Sequence, residues 1–157
     1  MAIHPIKTWL NLQEVLYYII IISESKKRQI KGVGMTKKIV HVDDDQAITN
    51  LVAEFLKESG LDYKLASFDR LGQMNRYIYD QEEEMDLIIL DGTIQSPFDG
   101  RQQAERLYKH RSTTGEGPKV LLITGDPYYL NKPEGMAVIG KPFVFDEFID
   151  QVKELLK

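Results

Sequence analysis

Short apolar runs alternate with helix-period patterns from residue 37 to the end of the chain. "KIVHV" (38–42) reads as a strand, short and rich in β-branched residues. Ile48, Leu51, Val52, Phe55 and Leu56 then fall at i, i+3, i+4, i+7 and i+8, one face of an amphipathic helix that Gly60 ends. "DYKLASF" (62–68) is a weaker second strand, and Leu71, Met74 and Ile78 mark a second helix. "DLIIL" (86–90) is unbroken in its apolar character, which predicts a third strand buried on both faces. A third helix is expected from about Gly100 to Arg111, with Ala104 and Leu107 inward. "KVLLIT" (119–124) and "MAVIG" (136–140) are strands four and five, and a last helix gathers Phe145, Phe148, Ile149, Val152, Leu155 and Leu156 on one face.

Strands alternating with helices predict βαβ units and a parallel sheet. The expected architecture is α/β, a flavodoxin-like doubly wound five-stranded parallel sheet of order 2-1-3-4-5, with its ligand crevice beyond the carboxyl ends of strands one and three. The fourth helix should be shortened or irregular, because "GDPYYLNKPEGMAVIG" carries Pro127, Pro133 and Gly135. Residues 126–135 are therefore expected to be mostly irregular and mobile, with Tyr128 and Tyr129 open either to partner contact or to core packing.

Every strand end at that crevice carries a polar group. Strand one ends in Asp43, Asp44 and Asp45, strand three in Asp91, strand four in Thr124, and strand five in Gly140 followed by Lys141 and Pro142. Strands one and three are neighbours in this order, about 4.8 Å apart, so Asp43 or Asp44 must lie close to Asp91. Two carboxylates ~4 Å apart repel by roughly 4 kcal/mol at an effective dielectric of 20, so the cluster calls for raised pKa values or a bound cation. An all-oxygen set suits a hard divalent ion, Mg²⁺ above all. Lys141 can add positive charge and Thr124 a hydroxyl donor. Asp45 fits better as the cap of the first helix.

The chain has 157 residues, 43% of them apolar, and no cysteine, which allows one ordinary domain and no thiolate chemistry or disulfide framework. Residues 1–35 are basic and isoleucine-rich, whereas 36–157 hold 15 basic against 22 acidic residues. An acidic body argues against direct nucleic-acid binding. "VLYYIIII" (15–22) is too short to span a bilayer, so no membrane insertion is expected. The expected division is a leader over 1–35, disordered or not translated given Met35, and a domain over 36–157; a peripheral anchor is the alternative for the leader.

Two resemblances compete for Asp91. "LDGTI" (90–94) resembles part of the nucleophile loop of haloacid dehalogenase-like phosphatases, but the place of their nucleophile, two residues before the Asp-Gly-Thr, holds Ile89, and no cap domain follows. The chain from about residue 37 resembles the receiver domains of two-component response regulators at four points in register: "IVHVDDDQ" matches the paired acids, "LIILD" the phospho-acceptor strand, "LLITG" the switch threonine and "GKPF" the Lys-Pro signature.

The receiver resemblance implies a stand-alone phosphorylation-dependent switch rather than a turnover enzyme. Asp91 would accept a phosphoryl group from a sensor histidine kinase or histidine phosphotransfer protein, with Thr124 and Lys141 completing the reacting site. Asp43, Asp44, Asp91 and the backbone carbonyl of Thr93 would hold Mg²⁺. The partner of the phosphorylated form would be a downstream protein, and the location cytoplasmic. A pseudo-receiver that neither binds metal nor accepts phosphate, and a phosphate shuttle or sink, are the alternatives. The chain departs from the family's pattern in "DGTIQSPFDG", which carries one extra residue and a later proline, and at Val138, where a switch aromatic is usual. His41 and His110 read as structural, and "EEE" (82–84) as a solvated loop.

Overall fold

The computed structural model describes residues 36–81, 84–94, 99–126 and 133–157. The leader, the tip of the acidic run, residues 95–98 of the atypical acceptor loop and the two tyrosines at 128 and 129 lie outside the described residues. Five parallel strands form one sheet: β1 (Lys37–Val42), β2 (Tyr63–Phe68), β3 (Leu87–Asp91), β4 (Lys119–Thr124) and β5 (Ala137–Gly140), in the order β2-β1-β3-β4-β5. The described helices are α1 (Gln46–Glu58), α2 (Leu71–Asp80), α3 (Asp99–Thr114) and α4 (Phe145–Leu155). The expected doubly wound sheet is what forms; the irregular fourth helix falls largely on residues outside the described ones.

Side-chain alternation splits the core between the two sheet faces. Ile39, Leu87, Ile89, Leu121, Ile123 and Ile139 pack with Val52 and Leu56 of α1 and Phe148, Ile149 and Val152 of α4. Val40, Val42, Ile88, Leu90, Val120 and Leu122 face the other way, onto Met74 of α2 and Ala104 and Leu107 of α3. All five residues of β3 are buried. Each large aliphatic side chain so buried contributes roughly 1.5–3 kcal/mol, which makes the central strand the most firmly fixed part of the sheet. The residue that ends it, Asp91, is thereby held in place.

Local chemistry sets the helix ends. Asp45 caps α1, its Oδ1 accepting the Ala47 N–H at 2.8 Å, and Gly60 takes a φ of 72° just beyond it, a left-handed turn that favours glycine. α3 runs three residues past the expected Arg111. Ser112, Thr113 and Thr114 are weak helix formers, but their hydroxyls bond back to the carbonyls of Lys109, Lys109 and His110, and the helix stops only at Gly115, with φ 75°. β3 also extends one residue further than its apolar run, to include Asp91.

Candidate functional site

The carboxyl ends of β1, β3 and β4 converge on one polar rim. Parallel pairing sets Val42 beside Leu90 and Asp91 beside Ile123, so Asp43 follows β1 just where Asp91 ends β3. Asp43, Asp91 and Thr124 are 2%, 1% and 3% exposed, and among the described residues His41 is the other buried polar side chain. Asp44 is exposed. One carboxylate oxygen from each of Asp43, Asp44 and Asp91 can be chosen so that all lie within 4.8 Å of one another.

Lys141 answers this acidity. Its Nζ lies 3.0 Å from Asp43 Oδ2 and 2.8 Å from Asp91 Oδ1. Its backbone N–H donates to the Thr124 carbonyl at 2.8 Å, which fixes the start of the β5–α4 turn beside β4. The Lys141–Pro142 peptide bond is cis. Burial pushes the Asp43 carboxyl up, against the pull of the Asp45 N–H and Lys141. For Lys141, burial alone would lower the ammonium, but its bonds to Asp91 and Asp43 prevail and its pKa rises. The ammonium is therefore charged, and it bridges the two buried carboxylates.

Asp91 has two unlike oxygens. Oδ1 faces the Lys141 ammonium, while Oδ2 accepts both the N–H and the hydroxyl of Thr93, at 3.0 and 2.7 Å. Asp43 is also fully engaged, since Oδ1 accepts the Asp45 N–H at 2.8 Å and Oδ2 accepts from Lys141. Gly100 abuts the Asp91 backbone so closely that a Cβ there would fall on the Asp91 carbonyl oxygen, which explains a glycine at the start of α3. A Cβ on Gly92 would meet Thr124 Oγ1 at 3.1 Å and Arg101 Cγ at 3.4 Å.

The structure thus brings Asp43, Asp44, Asp91, Thr93 and Lys141 into one pocket and sets Thr124 beside Gly92, with its hydroxyl oxygen accepting the Asp126 N–H at 3.2 Å. Two features were not read from the sequence. The first is the Thr93 hydroxyl on Asp91; a threonine two places past an aspartate is a known local hydrogen-bonding pattern, so a signal existed. The second is the Arg101–Asp126 ion pair at 2.5 Å, which ties α3 to the end of β4 and depends on long side chains from distant segments. His41 lies on β1 with no exposed surface and, among the described residues, no hydrogen-bond partner for either ring nitrogen. Burial, aided by the Lys141 charge and opposed by Asp91, lowers its pKa to about 4, so the ring is neutral at pH 7.

The donor set fits a hard divalent cation: three carboxylate oxygens within a few ångströms, with Asp44 solvent-facing at the mouth.

No protein-family model matches the chain, and no curated protein does either. Solved structures do. The response regulator TrrA of Thermotoga maritima, in complex with Mg²⁺ and BeF, is 28% identical with a TM-score of 0.60, over 76% of this chain and 99% of that one. A CheY-like response regulator receiver domain of Methanospirillum hungatei is 27% identical with a TM-score of 0.55, over 78% and 94%. The signal receiver domain of an HD domain-containing protein of Pseudomonas fluorescens shares the fold at 21% identity and a TM-score of 0.65, over 82% and 93%. A five-stranded sheet in this order, with the acidic rim at its switch point and these structural neighbours, gives the chain the CheY-like receiver fold of response regulators.

Proposed function

We propose that the protein accepts a phosphoryl group on Asp91, from a histidine kinase or a phosphotransfer protein, and acts in the cytoplasm as a phosphorylation-dependent interaction switch. The observation that carries this reading is the position of the Asp91 carboxylate, buried at a strand end between the Lys141 ammonium at 2.8 Å and the acids that follow β1. The neighbour TrrA, crystallised with Mg²⁺ and BeF, supports it.

Phosphoryl transfer asks a protein mainly for in-line positioning and charge neutralisation. An Asp91 oxygen attacks phosphorus, the phosphorus–nitrogen bond of a phosphohistidine donor breaks, and the leaving imidazole recovers the electron pair. Mg²⁺ held by Asp43, Asp44, Asp91 and the Thr93 backbone carbonyl would neutralise charge on the phosphoryl oxygens. Lys141 already touches Asp91 and would transfer its hydrogen bonds to those oxygens. Thr124, one residue's breadth away across Gly92, supplies a hydroxyl at the same rim. The protein is not a turnover enzyme in this reading; it promotes only its own phosphorylation and hydrolysis. Its output is a protein partner rather than nucleic acid. At the place of a switch aromatic, Val138 packs half-buried against the α2–α3 face of the sheet, so the output surface must respond without an aromatic there.

The test is metal-dependent stability. Millimolar Mg²⁺ should raise the melting temperature, since binding to the folded state alone stabilises it by mass action, and Asp44→Asn should reduce the shift. A phosphatase would instead turn over a generic phosphate monoester many times, and a pseudo-receiver would show no shift at all.

A further inference from the structure

We propose that Arg101 is a second side-chain cation for the phosphoryl group: its guanidinium, held by Asp126 in the unphosphorylated protein, passes to the phosphoryl oxygens once Asp91 carries them. The inference rests on the phospho-acceptor reading and adds to it a binding residue from α3.

Arg101 starts from the right place. Gly100 abuts the Asp91 backbone, so the first turn of α3 is clamped against the acceptor, and Arg101 is the next residue. A Cβ on Gly92 would meet Thr124 Oγ1 at 3.1 Å and Arg101 Cγ at 3.4 Å, so the arginine stem and the Thr124 hydroxyl flank the residue that follows Asp91. The guanidinium reaches Asp126 Oδ2 at 2.5 Å, and the Asp126 N–H donates to that same threonine hydroxyl oxygen at 3.2 Å. The ion pair therefore sits on the rim that Thr124 lines.

The two partners are unequally enclosed. The Arg101 side chain is 12% exposed and that of Asp126 28%. A guanidinium so enclosed must keep an anion, because an uncompensated buried charge is costly, whereas the Asp126 carboxylate can return to water. Phosphorylation offers the replacement: Asp91 exchanges a single negative charge for a group carrying about two. Its oxygens suit the planar fork of a guanidinium, which binds phosphate through two parallel hydrogen bonds. Lys141 already serves both Asp43 and Asp91, so the added negative charge draws on a second side-chain cation.

The experiment titrates the full-length protein with beryllium fluoride, a phosphoryl mimic, under saturating Mg²⁺ and reads the affinity by calorimetry. Arg101→Met, which keeps the stem but loses the donors, should weaken binding about fivefold, and Asp126→Asn, which removes the competing anion, should tighten it about threefold. In the Arg101→Met background, Asp126→Asn should change nothing, because the competitor then has no cation to hold back. Unweakened binding by Arg101→Met overturns the inference and leaves the acceptor role intact. So does a tightening by Asp126→Asn that is as large without Arg101 as with it, since that is a through-space effect of the charge alone. Should Arg101→Met fail to fold, Asp126→Asn decides by itself: tighter binding supports the exchange, and unchanged or weaker binding overturns it. A parent protein that binds no beryllium fluoride overturns the acceptor reading, and this inference falls with it.

Discussion

The two ends of the sheet carry the same kinds of polar group and use them differently. At the amino ends, Lys37 pairs with Asp86 at 3.6 Å, both side chains over a third exposed, and Asp86 Oδ2 accepts the Lys38 N–H at 2.8 Å. Thr36 reaches Asp62 in the same open setting. At the carboxyl ends, Lys141 pairs with Asp43 and Asp91, whose side chains are 0% and 2% exposed. An exposed pair is screened by water and adds little, whereas a buried carboxylate stripped of its cation is left uncompensated. Identical lysine–aspartate chemistry is thus a strand fastening at one end and a charged, metal-ready pocket at the other. Burial makes the difference.

The largest effect that would break this contrast comes from Lys141. Lys141→Met should lower stability in metal-free buffer by about 3 kcal/mol, the usual loss when one partner of a buried pair is removed, and Mg²⁺ should recover part of it. Denaturant unfolding with and without Mg²⁺ checks this; a loss no larger than that of Lys37→Met would erase the distinction between the two ends.

A smaller effect is the response to pH. The pKa of His41 is depressed from an unfolded value near 6.5 to about 4, so its contribution is fully present above pH 6.5 and is lost as pH falls toward 4. Between pH 7 and 5 this lowers stability by about 2 kcal/mol. Asp43, raised by burial, works in the opposite sense: its contribution grows as pH falls through its folded value and blunts the lower end of the decline. Unfolding across pH 5–7 in metal-free buffer should therefore show a slope that His41→Leu flattens. A slope unchanged by His41→Leu would place the pH sensitivity elsewhere.

The smallest effect sharpens the contrast from the other side. Lys37→Met should cost under about 1 kcal/mol, and added salt should remove most of that difference. Chemical denaturation at low and high ionic strength measures it.

The members of the pocket were legible in the chain because each stands where an apolar run stops. Asp91 ends "LIIL", Asp43 and Asp44 follow "KIVHV", and Lys141 follows "MAVIG", so strand order alone placed them together. The face-by-face core followed from the same alternation. What was not legible depends on side-chain conformation or on contacts between remote segments. The Thr93 hydroxyl could have pointed to water, and nothing local to Arg101 announces a partner at Asp126. The extra length of α3 was hidden because serine and threonine oppose helix by propensity, and only their bonds back to the Lys109 and His110 carbonyls carry it to Thr114. The place of His41 inside a strand was legible, but its stranded ring nitrogens could not be foreseen from an apolar strand.

The central claim is that Asp91 is the residue that reacts. It is tested most directly by incubating the protein with acetyl phosphate and Mg²⁺ and mapping the product by peptide mass analysis. One acid-stable, base-labile phosphoryl group on Asp91, absent without Mg²⁺ and abolished by Asp91→Asn in a protein that still folds, is the predicted result. A label that survives Asp91→Asn and maps to another residue, or no label at all, would contradict it.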